Sequence, residues 1–137
     1  LRSIPLPGGE LDLVVCGLAL AHVPDLPGAA AELARVLRSG GIAIVSVLHP
    51  TLAQLGWHAP FVDASGRRRF VREHPHGHAE YFDAFDRAGL TVRACVEPRL
   101  RSEHLRERRR MFRHAPEATL VAFEDLPGAL VWRVEKR

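Results

Sequence analysis

Residues Ile4–Pro50 read IPLPGGELDLVVCGLALAHVPDLPGAAAELARVLRSGGIAIVSVLHP, and the order of patterns inside this stretch decides the fold. Leu11 to Cys16 is a short apolar run rich in Val, preceded by the turn formers Pro5, Pro7, Gly8 and Gly9, and reads as a buried strand. From Asp25 the spacing changes: Leu26, Ala29 or Ala30, Leu33 and Val36 recur at helical intervals, while Glu32, Arg35 and Arg38 turn away. Asp25 is placed to cap this helix, Pro27 is tolerated in its first turn, and Gly40 and Gly41 follow it, so the pattern predicts a helix over 26–38. Ile42 to Leu48, IAIVSVL, is a second continuous apolar strand. Strand, helix and strand with tight connections imply a right-handed crossover in a parallel sheet covered by helices.

Working outward, residues 49–77 lose periodicity and carry Pro50, Pro60, Gly66, Pro75 and the basic cluster Arg67 to Arg69, which reads as a long insertion. Tyr81, Phe82, Phe85 and Ala88 fall on one helical face before Gly89, predicting a helix over about 78–88. Thr91 to Val96 forms a third strand, an arginine-rich stretch follows from Arg99 to Arg113, and Ala129 to Glu135 closes the chain as a fourth strand. At 137 residues there is room for one domain or part of one, 1–137, with 49–77 and 99–128 as insertions on the substrate side.

Composition narrows the class further. Hydrophobic residues make up 47% and charged residues 26%, an ordinary globular balance rather than a disordered one. The net charge of +3, with Lys136 the one lysine, does not single out nucleic acid as a partner. The longest apolar run, Leu13 to Ala21, is too short to span a bilayer. Cys16 and Cys95 lie in strand-like runs without metal or redox spacing; they read as small buried thiols, and a reducing, cytoplasmic setting is expected.

Candidate chemistry follows from topology. In open α/β sheets the ligand crevice lies beyond the carboxyl ends of the strands, which selects the loop Gly17 to His22 and the pair His49 and Pro50. His22 and His49 would stand at one rim, each able to serve as a proton acceptor near neutral pH or merely to order its loop. His74, His76 and His78 alternate in HPHGH, but Pro75 and Gly77 disfavour a regular strand and no carboxylate or thiol stands at motif spacing. No metal is expected there; a loop touching substrate, with His76, His78 and the nearby Tyr81, accounts for the segment better. The arginines of 99–113 read as the solvated side of an amphipathic helix, with phosphate contact as the alternative. Gly40-Gly41 follows a helix and precedes a strand, the reverse of a phosphate loop, and neither GxGxxG nor GxSxG occurs.

With these residues in view, Ile4–Pro50 resembles the central segment of class I S-adenosylmethionine-dependent methyltransferases, especially the small-molecule, quinone-biosynthesis-like group. A Leu-Pro turn, a strand, a loop ending His22-Val23, a helix and Leu37-Arg38-Ser39-Gly40-Gly41 follow in the family's order, with Leu11 in place of its Phe and Ser39 in place of its Pro. The resemblance implies a Rossmann-like doubly wound sheet of which these strands are the fourth to seventh, the last antiparallel between its neighbours. The family's first three strands and its glycine-rich loop would precede Leu1, so the expectation is the carboxyl-terminal part of a longer domain, inactive or weak alone, whose missing half is its partner. The continuously apolar first strand, which expects a neighbour on each edge, points the same way.

The resemblance also assigns roles. Leu1 and Arg2 would lie beside the adenine of S-adenosylmethionine, and Cys16, Gly17 and Leu18 under its methionine part. Leu20, His22 and His49 would face a small-molecule methyl acceptor, with His22 and His49 as candidate bases. The rival reading is a non-enzymatic basic module that binds nucleic acid or protein through Arg99 to Arg113. A doubly wound nicotinamide enzyme is a more distant third.

Overall fold

The computed structural model describes residues 3–107 and 115–137, without the side chains of residues 104, 106 and 107. Among the described residues six strands and five helices follow one another. They are β1 (Leu11–Gly17), α1 (Leu26–Val36), β2 (Leu37–Leu48), α2 (Pro50–Gln54), β3 (Pro60–Val62), β4 (Arg68–Phe70), α3 (His78–Arg87), β5 (Leu90–Val96), α4 (Ser102–Glu107), α5 (Pro116–Phe123) and β6 (Ala129–Lys136). A 3-10 turn, Leu20–His22, follows β1.

The main sheet has the order β1-β2-β6-β5, and β3 with β4 forms a separate hairpin. β1 and β2 are parallel, while β6 runs antiparallel to β2 on one side and to β5 on the other. That reversed strand between its neighbours is the arrangement the resemblance implies. Alternation along β2 and β6 sends Ala43, Val45, Val47, Leu130, Trp132 and Val134 to one face, where Leu26, Ala30 and Leu33 of α1 and Tyr81 and Phe85 of α3 cover them. Trp132 is fully buried, with Phe82 edge-on at 4.9 Å and Tyr81 and Phe85 within 6.0 Å between centroids. On the opposite face of β1, an outer strand of the sheet, Leu13 and Val15 are 55% and 69% exposed.

Local chemistry sets the element ends. Asp25 caps α1 by accepting the Gly28 N–H at 3.0 Å. Glu80 caps α3 by accepting the Gly77 N–H at 2.7 Å. The helix predicted over 26–38 ends at Val36, because Leu37 is already extended and pairs with Leu11. The register then shifts between Leu11 and Leu13, so Gly40 and Gly41 sit in a bulged stretch of β2 rather than in a turn between elements. Gly40 has φ +71°, and a Cβ on Gly41 would lie 2.9 Å from the Leu11 and Arg38 carbonyl oxygens, so both glycines are required by the backbone.

The long segments have structure of their own. Leu52 and Trp57 from residues 49–77 and Leu105 from residues 99–128 share a second apolar cluster, with Leu48, Leu100, Leu120, Phe123 and Leu126 around it. Cys16 is buried as expected, but Cys95 is exposed. The register of β5 shifts between Val92 and Ala94, and from Arg93 to Val96 this outer strand is exposed. Among the described residues no helix is long and apolar enough to cross a membrane.

Candidate functional site

The site lies where β1, β2 and β5 end. β1 finishes at Gly17, which is exposed, and Leu18 takes the left-handed conformation at φ +55° while its N–H donates to the Ser46 carbonyl at 2.7 Å. A leucine there carries a cost of about 1–2 kcal/mol, the kind of strain found at ligand sites. The turn holding Leu20 and His22 follows directly.

Residues 72–76 run against this turn. The His74 N–H donates to the Ala21 carbonyl at 2.6 Å, and His76 Nε2 donates to the Val23 carbonyl at 2.9 Å. His22 Nδ1 lies 2.9 Å from the Arg72 carbonyl oxygen, which can only accept, so Nδ1 carries a proton and, in the neutral ring, the lone pair is on Nε2. A pocket of about 260 Å³, partly open to solvent, lies between these segments, lined by Leu18, His22, Leu48, Trp57, His58 and Glu73 among others. The Glu73 side chain is 5% exposed, and its Oε2 is 3.6 Å from His58 Nδ1.

His49 follows β2 and is 6% exposed. Its Nδ1 accepts the Thr51 N–H at 3.3 Å, which caps α2 and leaves the proton of the neutral ring on Nε2. Among the described residues that Nε2 has no hydrogen-bond partner, and it stands 3.8 Å from Glu97 Oε1. Burial pushes the His49 imidazole below its ordinary value, against the opposing pull of Glu97. Glu97, just beyond β5, also meets His78 Nε2 at 2.6 Å, and that hydrogen bond holds its carboxyl below the usual range.

The remaining expected residues divide. Gly17 and Leu18 are exposed at the strand end, whereas the Cys16 side chain belongs to the core. Leu20 has no exposed surface and Tyr81 only 1%, so in this structure both side chains belong to the core. The resemblance placed Leu20 toward the acceptor, whereas here the 3-10 turn directs it inward, and Tyr81 packs against Trp132 and Phe85. His76 pins the loop to Val23, and His78 pairs with Glu97. Leu1, Arg2 and Arg108, Arg109, Arg110 and Arg113 lie outside the described residues, as does the Arg106 side chain. Arg99 and Arg101 bond to Asp125, through its carbonyl at 2.7 Å and its carboxylate at 2.6 Å. Glu97, Glu73 and His58 were missed. Glu97 stands at the carboxyl end of a strand, so the rule that selected His22 and His49 could have found it.

Comparisons with known proteins agree with this architecture. Residues 1–45 match the family model described as a methyltransferase domain. No curated protein matches the sequence. An S-adenosylmethionine-dependent methyltransferase from Mesorhizobium loti superposes with a TM-score of 0.66 at 20% identity, over 98% of this chain and 66% of that one. One from Clostridium acetobutylicum gives 0.65 at 10% identity, over 98% and 61%. The [4+2]-cyclase SpnF gives 0.57 at 19% identity, over 98% and 54%, so proteins with this fold include one named for a different reaction. The chain thus spans 54–66% of the length of these structures. It carries the class I methyltransferase fold, a mixed sheet whose reversed strand lies between two neighbours, and its first 45 residues match the methyltransferase-domain pattern.

Proposed function

We propose that the protein transfers a methyl group from S-adenosylmethionine to a small-molecule acceptor held in the cavity beside His22. The observation that carries this reading is the pairing of His22 Nδ1 with the Arg72 carbonyl at 2.9 Å on the wall of that cavity. In the neutral ring it directs the lone pair to Nε2, the tautomer with which a general base would take a proton there.

Gly17 and Leu18 fit the methionine end of the cofactor. Gly17 has no side chain to obstruct an approach, with only Ser46 Oγ, at 3.8 Å, near where a Cβ would stand, and the left-handed Leu18 exposes its side chain beside it. Cys16 contributes backbone at this point. When bound, the cofactor supplies a methyl group already activated on a sulfonium, so the protein's contribution is alignment, exclusion of water and removal of a proton from the acceptor. Leu18, Leu48 and Trp57 supply apolar surface around the acceptor. His22 receives the proton. His49 is the weaker candidate, because its available nitrogen already carries hydrogen. With no glycine-rich GxGxxG loop among the 137 residues, this chain by itself is expected to hold the cofactor weakly.

The test is turnover of protein expressed from the complete reading frame, followed as release of S-adenosylhomocysteine with a panel of phenols, carboxylates and amines. His22→Ala is expected to lower kcat by a factor of about 10²–10⁴, the usual contribution of a positioned base, and His49→Ala by less. A loss of under a few-fold for His22→Ala removes it as the base. Absence of cofactor binding by titration calorimetry in that protein removes the reaction itself.

A further inference from the structure

Three side chains from separate elements converge at the same end of the sheet. His49 follows β2, His78 opens α3 and Glu97 follows β5; β2 and β5 flank β6, and the His49 N–H is tied to the Gly128 carbonyl, just before β6, at 3.2 Å. Their ligand atoms lie within 4.8 Å of one another. We propose that His49 Nε2, His78 Nε2 and Glu97 Oε1 bind a divalent transition-metal ion of the zinc type, a site that shares His49, the weaker candidate base, but is argued from its own geometry.

The strongest observation is His49. It is 6% exposed, yet its Nε2 has no partner among the described residues and borders Glu97 Oε1 at 3.8 Å, too far for a hydrogen bond. A buried polar nitrogen left this way is costly, and an ion between it and the carboxylate would satisfy both. Two imidazoles with one carboxylate is a donor set that zinc takes with its fourth position open, whereas magnesium and calcium prefer oxygen alone.

Ligand atoms around a tetrahedral ion stand roughly 3.4 Å apart at metal distances of about 2.0–2.1 Å. The 2.6 Å contact between His78 and Glu97 must therefore open and the widest separation must close. Both side chains can move, being 40% and 44% exposed. His49 must give its Nε2 proton up, at the expense of a single long bond from the Thr51 N–H; Thr51 is exposed, so water can replace that acceptor. That proton passes to Nδ1, so the ring stays neutral and this change of tautomer releases none.

The experiment is titration calorimetry of metal-stripped protein with zinc chloride, and separately with magnesium chloride. One zinc per chain with a Kd in the micromolar range or tighter is expected, with no saturable magnesium binding. Glu97→Gln and His78→Ala, both at exposed side chains and checked for folding by circular dichroism, are expected to weaken zinc by about 100-fold or more each, as loss of a ligand should. His74→Ala, outside the cluster, is expected to leave the affinity unchanged. Absence of saturable zinc binding overturns the site. So does zinc affinity that survives both Glu97→Gln and His78→Ala, and so does a loss produced by His74→Ala alone, which would move the ion to the HPHGH run.

Discussion

Tyr81 shows how one buried side chain imposes a limit on the fold. It is the single tyrosine of the sequence, 1% exposed and packed on Trp132 and Phe85, and burial pushes its phenol well above the ordinary value of 10. A group whose proton is held more tightly in the folded chain stabilises that chain fully below pH 10, and the contribution is lost as pH rises beyond it. Phenolate absorbance above pH 10 is expected to grow only together with unfolding, and Tyr81→Phe is expected to remain folded to higher pH. A phenolate band in protein that keeps its native circular dichroism would refute the assignment. The same residue marks where the site escaped a reading of sequence. The places of His22 and His49 beyond the strand ends were legible because topology fixes that rim, whereas the resemblance that assigned Leu20 and the helical face that carried Tyr81 do not distinguish a residue facing the core from one facing a ligand. Glu73 and His58 have no sequence signal at all, since their meeting depends on how a loop folds back.

Among the elements, legibility follows repetition. β1, α1, α3, β5 and β6 lie within two residues of their expected bounds because each repeats an apolar spacing against the covered face of the sheet. The start of β2 was missed by five residues because a glycine bulge, which sequence reads as a turn, keeps Leu37 to Gly41 in the strand. α5 gave no periodic signal, and none of its residues is fully buried. α5 is held in place by the second apolar cluster, and that cluster has a consequence of its own. Leu52 contributes to it from the segment after β2, and Leu105, Leu120 and Phe123 contribute from the segment before β6. Leu52→Ala is expected to cost about 2–4 kcal/mol at this fully buried position. Because both segments depend on the same contacts, hydrogen exchange should accelerate in α2, α4 and α5 together while β2, β6 and α3 keep their protection. Acceleration confined to α2 would show that the two segments are not coupled.

For the molecule as a whole, acid is the condition that tests its electrostatic design. Nineteen Lys and Arg against sixteen Asp and Glu leave +3 at neutral pH, so neutralising carboxylates with eight histidines charged leaves a strongly self-repelling chain. One carboxylate resists this and ties distant parts of the sequence together. Glu32 on α1 accepts the Ile4 N–H at 2.6 Å and pairs with Arg35 at 2.8 Å, while Arg35 donates to the Ile4 and Leu6 carbonyls at 3.0 Å each. The Arg35 hydrogen bond, helped by the Ile4 N–H, lowers the Glu32 carboxyl from 4.5 to about 2. The folded state therefore holds this group ionised where the unfolded chain binds a proton, so its contribution is present above pH 4.5 and fades as pH falls toward about 2. Thermal unfolding of the native chain and of Glu32→Gln is expected to show the variant less stable at neutral pH, with the gap closing across that window. Self-repulsion acts on both chains alike, so the narrowing difference isolates the clamp between the leading segment and α1. A gap that stays constant through the window would mean that Glu32 is not held ionised by Arg35 and Ile4, and that the leading segment is anchored by its backbone contacts alone.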